Sequence, residues 1–141
     1  MEPPRHEEHH AGLLIPIPAE VDRVGTEVVD AMYQVHSRLG PGLLESVYKI
    51  CLAYELRKRG LKVETEVPVP ILYDGVRIDA GFKIDLLVED NVIIEAKATV
   101  EDHPIFKAQI LTHLKLTGKR LGFLTNFNKK LIKDGVQRIA L

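Results

Sequence analysis

The sequence has few of the features that mark secreted or membrane-spanning proteins. Cys51 is the single cysteine among 141 residues, which excludes an intramolecular disulfide and favours a reducing compartment. No apolar run approaches the roughly 18 residues that a membrane-spanning helix needs. The N-terminal segment MEPPRHEEHH is polar and acidic, whereas a secretory signal peptide has a basic and then an apolar start. These absences predict a cytoplasmic protein without a membrane segment.

A strong basic excess is also lacking. The formal net charge is −1, whereas dedicated nucleic-acid binders usually carry an excess of lysine and arginine that neutralises phosphates. Any positively charged binding surface in this chain must therefore be local. Acidic metal ligands in an active site would offset basic residues elsewhere, so the balance does not exclude a protein that acts on nucleic acid.

Length and composition predict one folded domain preceded by a tail. A hydrophobic content of 45% and a charged content of 28% are ordinary for a globular protein of this size. Residues 1–20 are polar at first and are then interrupted by Pro16 and Pro18, which predicts a flexible tail before a single domain over residues 21–141. Three tail histidines are interpreted as lacking a fixed geometry, with metal binding as the alternative: His6, His9 and His10.

Two helices are predicted at the start of the domain. Residues 20–39 carry an apolar stripe that ends at Gly40-Pro41-Gly42, and residues 43–59 form a second helix that ends at Gly60. The predicted buried side of the second helix consists of Leu44, Val47, Tyr48, Cys51, Leu52 and Leu56. Glu45 borders this apolar side, where a carboxylate is unfavourable unless a metal, a lysine or an arginine meets it.

Strands and one further helix are predicted after Gly60. The pattern gives an edge strand over residues 62–70, a separate hairpin around Asp74-Gly75, and later strands over residues 120–126 and 136–141. Between them a helix begins at Pro104 and ends near Thr117, with Ala108, Leu111 and Leu114 on its inner face. This order predicts an α/β domain with a central mixed sheet flanked by helices on both sides.

The central stretch, residues 82–98, predicts two strands around a turn at Glu89-Asp90-Asn91, with Asn91 in the left-handed conformation. Centring the hairpin on Asp90 places Asp85 opposite Glu95. One predicted face carries Ile84, Leu86, Val88, Val92, Ile94 and Ala96, and the other carries Lys83, Asp85, Leu87, Ile93, Glu95 and Lys97.

Two opposed carboxylates repel each other, so the pattern indicates a cation between them. Mg²⁺ prefers hard oxygen ligands and is often held by one or two carboxylates, and Lys97 would lie close enough to steady a phosphate or a water. The alternative is an ordinary Lys–Glu pair on a solvated sheet face.

Two motifs together resemble one known family. Asp85 followed by Glu95-Ala96-Lys97 resembles the PD-(D/E)xK nuclease core, and the segment GLLESVY at residues 42–48 matches the signature that names the GxxExxY family within that superfamily. The likeness extends over about residues 21–141. It includes His36, the LGPG turn, Gln109 and the segment TGKRLGFLTNF.

The resemblance implies a restriction-endonuclease-like fold and metal-dependent hydrolysis of a phosphodiester in nucleic acid, with DNA as the expected substrate. It implies that Mg²⁺ or Mn²⁺ is held by Asp85, Glu95, the Ala96 carbonyl and Glu45. Lys97 would orient water or phosphate. The implied supporting residues are Gln109, Tyr48 and His36.

Several of these positions have plain alternatives. Gln109 can be an ordinary surface glutamine, Tyr48 a core aromatic, and His36 a partly buried or capping histidine. Family members often carry a histidine where this chain has Phe106, so any role of that histidine is lost here. The alternative function is a catalytically inactive module that kept the nuclease fold for interaction with protein or nucleic acid, and a homodimer acting on structured DNA is a variant of the first function.

Overall fold

The computed structural model describes residues 15–141, apart from the side chain of Ala80. The tail histidines lie outside these residues. The end of the predicted tail packs against the domain, because the guanidinium of Arg120 donates hydrogen bonds to the carbonyls of Ile15 and Pro16, and Ile17 contacts the core. The folded part of the chain therefore begins before residue 21.

The two predicted helices are present. Helix α1 spans Ala19–Leu39, and its apolar stripe is buried. Helix α2 spans Glu45–Lys58 and buries Tyr48, Leu52 and Leu56 as predicted. The prediction for Leu44 is wrong: this side chain is 75% exposed, because it precedes the first turn of α2 and does not share the buried face of the helix.

A five-stranded sheet forms the centre of the domain, in the order β1-β2-β3-β4-β5. Its strands are β1 Val63–Tyr73, β2 Val76–Val88, β3 Val92–Lys97, β4 Leu121–Asn126 and β5 Val136–Ala140. Strands β3 and β4 are parallel and the other neighbours are antiparallel, so the predicted mixed sheet is confirmed. A short 3₁₀ helix, Ile132–Asp134, precedes β5.

The predicted hairpin around Asp74-Gly75 is confirmed, because Tyr73 pairs with Val76 across this turn. It is not separate from its flanking strands, since β1 and β2 form one long hairpin. The strands continue through Pro70 because the register shifts between Val69 and Ile71. Gly81 makes this possible: a Cβ atom there would lie 2.1 Å from the carbonyl oxygen of Val69. A close approach of two backbones is a common reason for glycine inside a strand.

Helices cover both faces of the sheet. Helices α1 and α2 pack on one face against side chains that include Leu86, Ile94 and Phe123. Helix α3, Pro104–Thr117, packs on the other face, where Ile93 and Leu124 contact Ile110 and Leu114. The predicted layers are thus confirmed. No helix within residues 15–141 is long and apolar enough to cross a membrane.

Helix α3 begins at Pro104 and ends at Thr117, as predicted, and Gly118 follows it in the left-handed conformation. Its predicted inner face is partly wrong, because Ala108 is exposed and Ile110 is buried. Residues one turn apart share a helix face, so the buried Ile110 and Leu114 define the inner side, and Ala108 lies away from it.

The turn between β2 and β3 also differs from the prediction. The left-handed residues are Glu89 (φ 50°) and Asp90 (φ 59°), and not Asn91. Asn91 instead donates its side-chain amide to the Glu89 carbonyl at 3.0 Å, while its main-chain N–H bonds the Val88 carbonyl at 3.0 Å. Two consecutive left-handed residues suit the twist of a tight hairpin, so the conformation of the loop differs from the prediction while the predicted pair Val88–Val92 is kept.

Candidate active site

Asp85 is the residue of β2 at which the pairing with β3 has ended. The predicted pairs Leu86–Ile94 and Val88–Val92 are present, but the ladder stops at Leu86, so the predicted direct opposition of Asp85 and Glu95 is wrong. Oδ2 of Asp85 instead accepts a hydrogen bond from the main-chain N–H of Ala96 at 2.9 Å. The carboxylate of Asp85 therefore takes the place of a main-chain partner beside the segment Glu95-Ala96-Lys97.

The β1–β2 ladder is irregular at the same residue. Thr65 pairs with Leu86 and Val67 pairs with Ile84, but the intervening Glu66 and Asp85 do not pair, and Glu66 is left-handed with φ 50°. In a regular ladder Glu66 would lie directly opposite Asp85, and the two carboxylates would repel each other, which favours the interruption.

This irregularity also changes which side chains share a face. Leu86 packs with α1 and α2, whereas Ile84 packs with α3. The prediction that Ile84 and Leu86 share one face of β2 is therefore wrong, because strict alternation ends at Asp85.

The ammonium of Lys49 on α2 lies among three carboxylates. Its Nζ is 3.2 Å from Oδ1 of Asp85, 3.2 Å from Oε2 of Glu45 and 3.6 Å from Oε2 of Glu66. Burial disfavours the charged form of Lys49, but Asp85, followed by Glu45, outweighs this effect and raises the pKa of the ammonium above its usual range. The sequence predicted a metal, a lysine or an arginine beside Glu45, and in the structure this cation is Lys49.

Glu95 faces α3. Its Oε2 lies 3.1 Å from Nδ1 of His113, and the His113 ring stacks on Phe82 with centroids 3.9 Å apart. Burial raises the pKa of the Glu95 carboxyl; His113 opposes this rise, and the negative charge of Asp85 adds to it. The charge of Asp85 therefore acts on Glu95, although Asp85 contacts Lys49 of α2 and Glu95 contacts His113 of α3, on the opposite face of the sheet.

Lys97 lies on the α3 side of the sheet, and its ammonium sits 4.6 Å from the centroid of the Phe106 ring. The pair borders a cavity of about 340 Å³ whose lining includes Asp102, His103, Asn126 and Gln137. Lysine above an aromatic ring is stabilised by a cation–π interaction. Phe106 thus holds the side chain of Lys97 at the edge of this cavity.

The three supporting residues lie in different surroundings. Gln109 is exposed on α3. Tyr48 is fully buried and stacks on Phe127 at 4.7 Å, and its hydroxyl donates to the Gly40 carbonyl at 2.6 Å. His36 is buried, and its Nε2 lies 2.8 Å from the carbonyl oxygen of Lys129. Tyr48 and His36 therefore secure the loops around the site, as their structural alternatives expected.

Three residues around the candidate ligands were not predicted from the sequence. Lys49 and His113 contact the ligands directly, and Glu66 contacts Lys49. Lys49 stands four residues after Glu45, a spacing that brings side chains together on a helix. His113 lies one turn after Gln109 on α3, a spacing that places the two on the same helix face. Pairing β1 with β2 in a regular register would place the carboxylate of Glu66 opposite that of Asp85, and this repulsion could have drawn attention to Glu66.

The donors fit a hard divalent cation by their chemistry, since carboxylates and carbonyls are the ligands that Mg²⁺ takes. In the arrangement described, Asp85 and Glu45 are paired with Lys49, and Glu95 contacts His113. Within residues 15–141, no three His, Cys, Asp or Glu side chains already converge as a ligand set. Holding a metal would therefore require these side chains to change partners.

Comparison with known proteins relates the chain to one superfamily. A family model that describes the PD-(D/E)XK nuclease superfamily matches residues 22–139, which is most of the chain. No curated protein and no solved structure matches the chain.

Proposed function

From the premise that the chain belongs to the PD-(D/E)XK nuclease superfamily, we propose that it is a metal-dependent phosphodiester hydrolase acting on nucleic acid, with DNA as the expected substrate. The observation that carries the proposal is the hydrogen bond from the Ala96 N–H to Asp85. It joins the acidic residue of β2 to the segment Glu95-Ala96-Lys97 on β3, which is the association that the superfamily motif requires.

The proposed ligands of Mg²⁺ or Mn²⁺ are the carboxylates of Asp85 and Glu95, the Ala96 carbonyl and Glu45. When bound, such an ion lowers the pKa of a water molecule and stabilises negative charge on phosphate oxygens. The role of Glu45 rests on the GxxExxY signature, which remains part of the proposal.

The proposed role of Lys97 is to orient the attacking water or the scissile phosphate. The position of its ammonium at the edge of the cavity supports this role, because a phosphate entering there would meet a positive charge. Gln109 would assist from the next helix, and Tyr48 and His36 would hold the surrounding loops. A homodimer would enlarge the surface available to DNA, and a cytoplasmic location remains an expectation.

A second candidate function has its own supporting observation. Asp85 and Glu45 are already paired with Lys49, and Glu95 already has a partner in His113. A module that retained the fold without the chemistry would have acidic residues paired in this way. It would bind protein or nucleic acid without cleaving it.

Calorimetric titration of Mn²⁺ and Mg²⁺ separates the two functions. The full chain would carry alanine at His6, His9 and His10, so that these histidines do not contribute to the signal. Binding that disappears in the Asp85→Asn/Glu95→Gln variant supports the hydrolase. Asp79→Asn is the matched control, because this carboxylate is exposed on the same strand and pairs with Arg77. Absence of binding in the parent supports the inactive module.

A further inference from the structure

Lys49 is placed where a cation would meet two of the proposed metal ligands. Its ammonium contacts Glu45 and Asp85 at 3.2 Å each, so one positive charge bridges the α2 helix and the β2 strand. Glu66 of the edge strand adds a third carboxylate at 3.6 Å. Three negative charges thus share one positive charge, and the group retains an excess of negative charge.

The backbone fixes this arrangement. Glu45 and Lys49 are separated by one helical turn, so their side chains emerge on the same side of α2. Glu66 and Asp85 lie at one interruption of the β1–β2 ladder, apart from the register shift between Val69 and Ile71. The side chain of Lys49 is 21% exposed and that of Asp85 is 14% exposed, which makes their attraction stronger than that of a surface pair.

We infer that Lys49 is a built-in competitor of the divalent metal ion, so that metal binding by Asp85 and Glu45 requires displacement of the Lys49 ammonium. This inference rests on the proposed function, since it assigns a further residue to the same site. The Lys49 side chain would leave Asp85 and Glu45 and keep Glu66, which is 54% exposed, as its partner. A cavity of about 250 Å³ beside Lys49, lined in part by Ser46, Thr65 and Glu66, provides room for this movement.

Two physical consequences follow. The Lys49 ammonium lowers metal affinity, because the ion must replace existing ion pairs and then share the site with a nearby positive charge. It also keeps the acidic residues compatible with folding when no metal is bound, since unpaired carboxylates at a partly buried position are destabilising. Lys49 would therefore set the metal concentration at which the site fills.

The test is calorimetric titration of Mn²⁺ into the full chain with alanine at His6, His9 and His10, comparing the parent with Lys49→Met. Methionine keeps most of the length of the side chain and removes the charge. We expect Mn²⁺ affinity to rise about ten-fold or more. Lys49→Arg keeps the charge and should leave the affinity near that of the parent.

Lys58→Met is the matched control on the same helix. Lys58 pairs with Glu55 at 3.3 Å, away from the proposed ligands, so its removal should not change Mn²⁺ affinity. Circular dichroism before titration checks the fold of each variant. If Lys49→Met is unfolded, Lys49→Gln replaces it, because the amide still donates hydrogen bonds to the carboxylates.

The outcomes distinguish the inference from the proposed function. Mn²⁺ affinity that is higher in the neutral Lys49 variant than in the parent supports the inference. Equal affinity in parent and variant overturns the inference and leaves the metal site intact. A lack of Mn²⁺ binding in both proteins overturns the inference together with the metal-dependent hydrolase.

Discussion

Nδ1 of His113 lies 3.1 Å from Oε2 of Glu95, which joins helix α3 to strand β3 within the proposed active site. Both side chains are largely buried, with 14% and 8% of their surfaces exposed. A buried carboxylate needs a hydrogen-bond partner. His113 is therefore expected to hold the orientation of Glu95 in the absence of metal.

The substitution His113→Phe keeps a ring to stack on Phe82 but removes the nitrogen that meets Glu95. Leaving a buried acceptor unpaired destabilises a protein by about 1–3 kcal/mol. We expect a loss of that size in the free energy of unfolding measured by urea denaturation at pH 7. Thr112→Ala, at the exposed neighbouring position of α3, is the control and should have little effect. Equal stability of His113→Phe and the parent would contradict the assigned contact.

Tyr48→Phe tests the structural role of the tyrosine hydroxyl. This hydroxyl donates to the Gly40 carbonyl at 2.6 Å and accepts from the Leu43 N–H at 3.1 Å, so it closes the turn before α2. Its removal should lower the free energy of unfolding by about 1–3 kcal/mol and leave Mn²⁺ affinity unchanged. The control is Tyr54→Phe, because Tyr54 lies on the same helix and is 66% exposed. A loss of metal binding without a loss of stability would place Tyr48 in the site instead.

Asp102 should make stability depend on pH. Lys129, at 2.8 Å, and Asn126, at 3.0 Å, hold the pKa of the Asp102 carboxyl below its usual value. Since the folded-state pKa is the lower one, the stabilisation is present above the unfolded-state pKa of about 3.9 and is lost as the pH falls through the folded-state pKa.

The substitution Asp102→Asn should therefore reduce the free energy of unfolding at pH 7, and the difference from the parent should shrink below about pH 4. Asp102 is 61% exposed, so salt should weaken the effect at pH 7. Glu101→Gln is the control at the neighbouring exposed position. A difference between parent and Asp102→Asn that stays constant from pH 7 to pH 3 would exclude a charged pair as its cause.

Lys97→Ala tests the proposed role of the lysine in cleavage. The variant should lose Mn²⁺-dependent cleavage of DNA while its fold is preserved, because the contact of the ammonium with the Phe106 ring stabilises by only about 0.5–1 kcal/mol. Cleavage is followed on gels, and folding by circular dichroism. Lys133→Ala, at an exposed position before β5, should cleave as the parent does. Unchanged cleavage by Lys97→Ala would remove Lys97 from the mechanism.

Much of the fold could be predicted from the sequence because its signals are local and periodic. The apolar stripe of α1, Pro104 and Gly118 at the ends of α3, and the apolar run of β4 each identify an element without knowledge of its neighbours. The errors in β2 have a non-local cause. The interruption of the β1–β2 ladder at Glu66 and Asp85 depends on the partner strand and on Lys49 of α2. A prediction from strict alternation along β2 alone therefore put Ile84 on the wrong face of the sheet.

The candidate site could be predicted to the level of its motif. The need of Glu45 for a cation followed from its place beside an apolar helix face, and the structure meets that need with Lys49. The partners of Asp85 and Glu95 could not be predicted, because Lys49 and His113 reach them from opposite helical layers. The contacts of Lys49 with Asp85 and of His113 with Glu95 depend on where the pairing of β2 with β3 ends, which is at Leu86–Ile94.

The most direct test of the central claim is cleavage of DNA by the purified full chain in the presence of Mn²⁺. Linear and branched labelled duplexes would be compared, with RNA of the same sequence beside them. We expect cleavage of DNA by the parent and by Asp79→Asn, and no cleavage by the folded Asp85→Asn/Glu95→Gln variant. Cleavage that persists in the double variant, or a lack of cleavage by the parent on every substrate when Mn²⁺ binding is established, would contradict metal-dependent hydrolysis at Asp85 and Glu95.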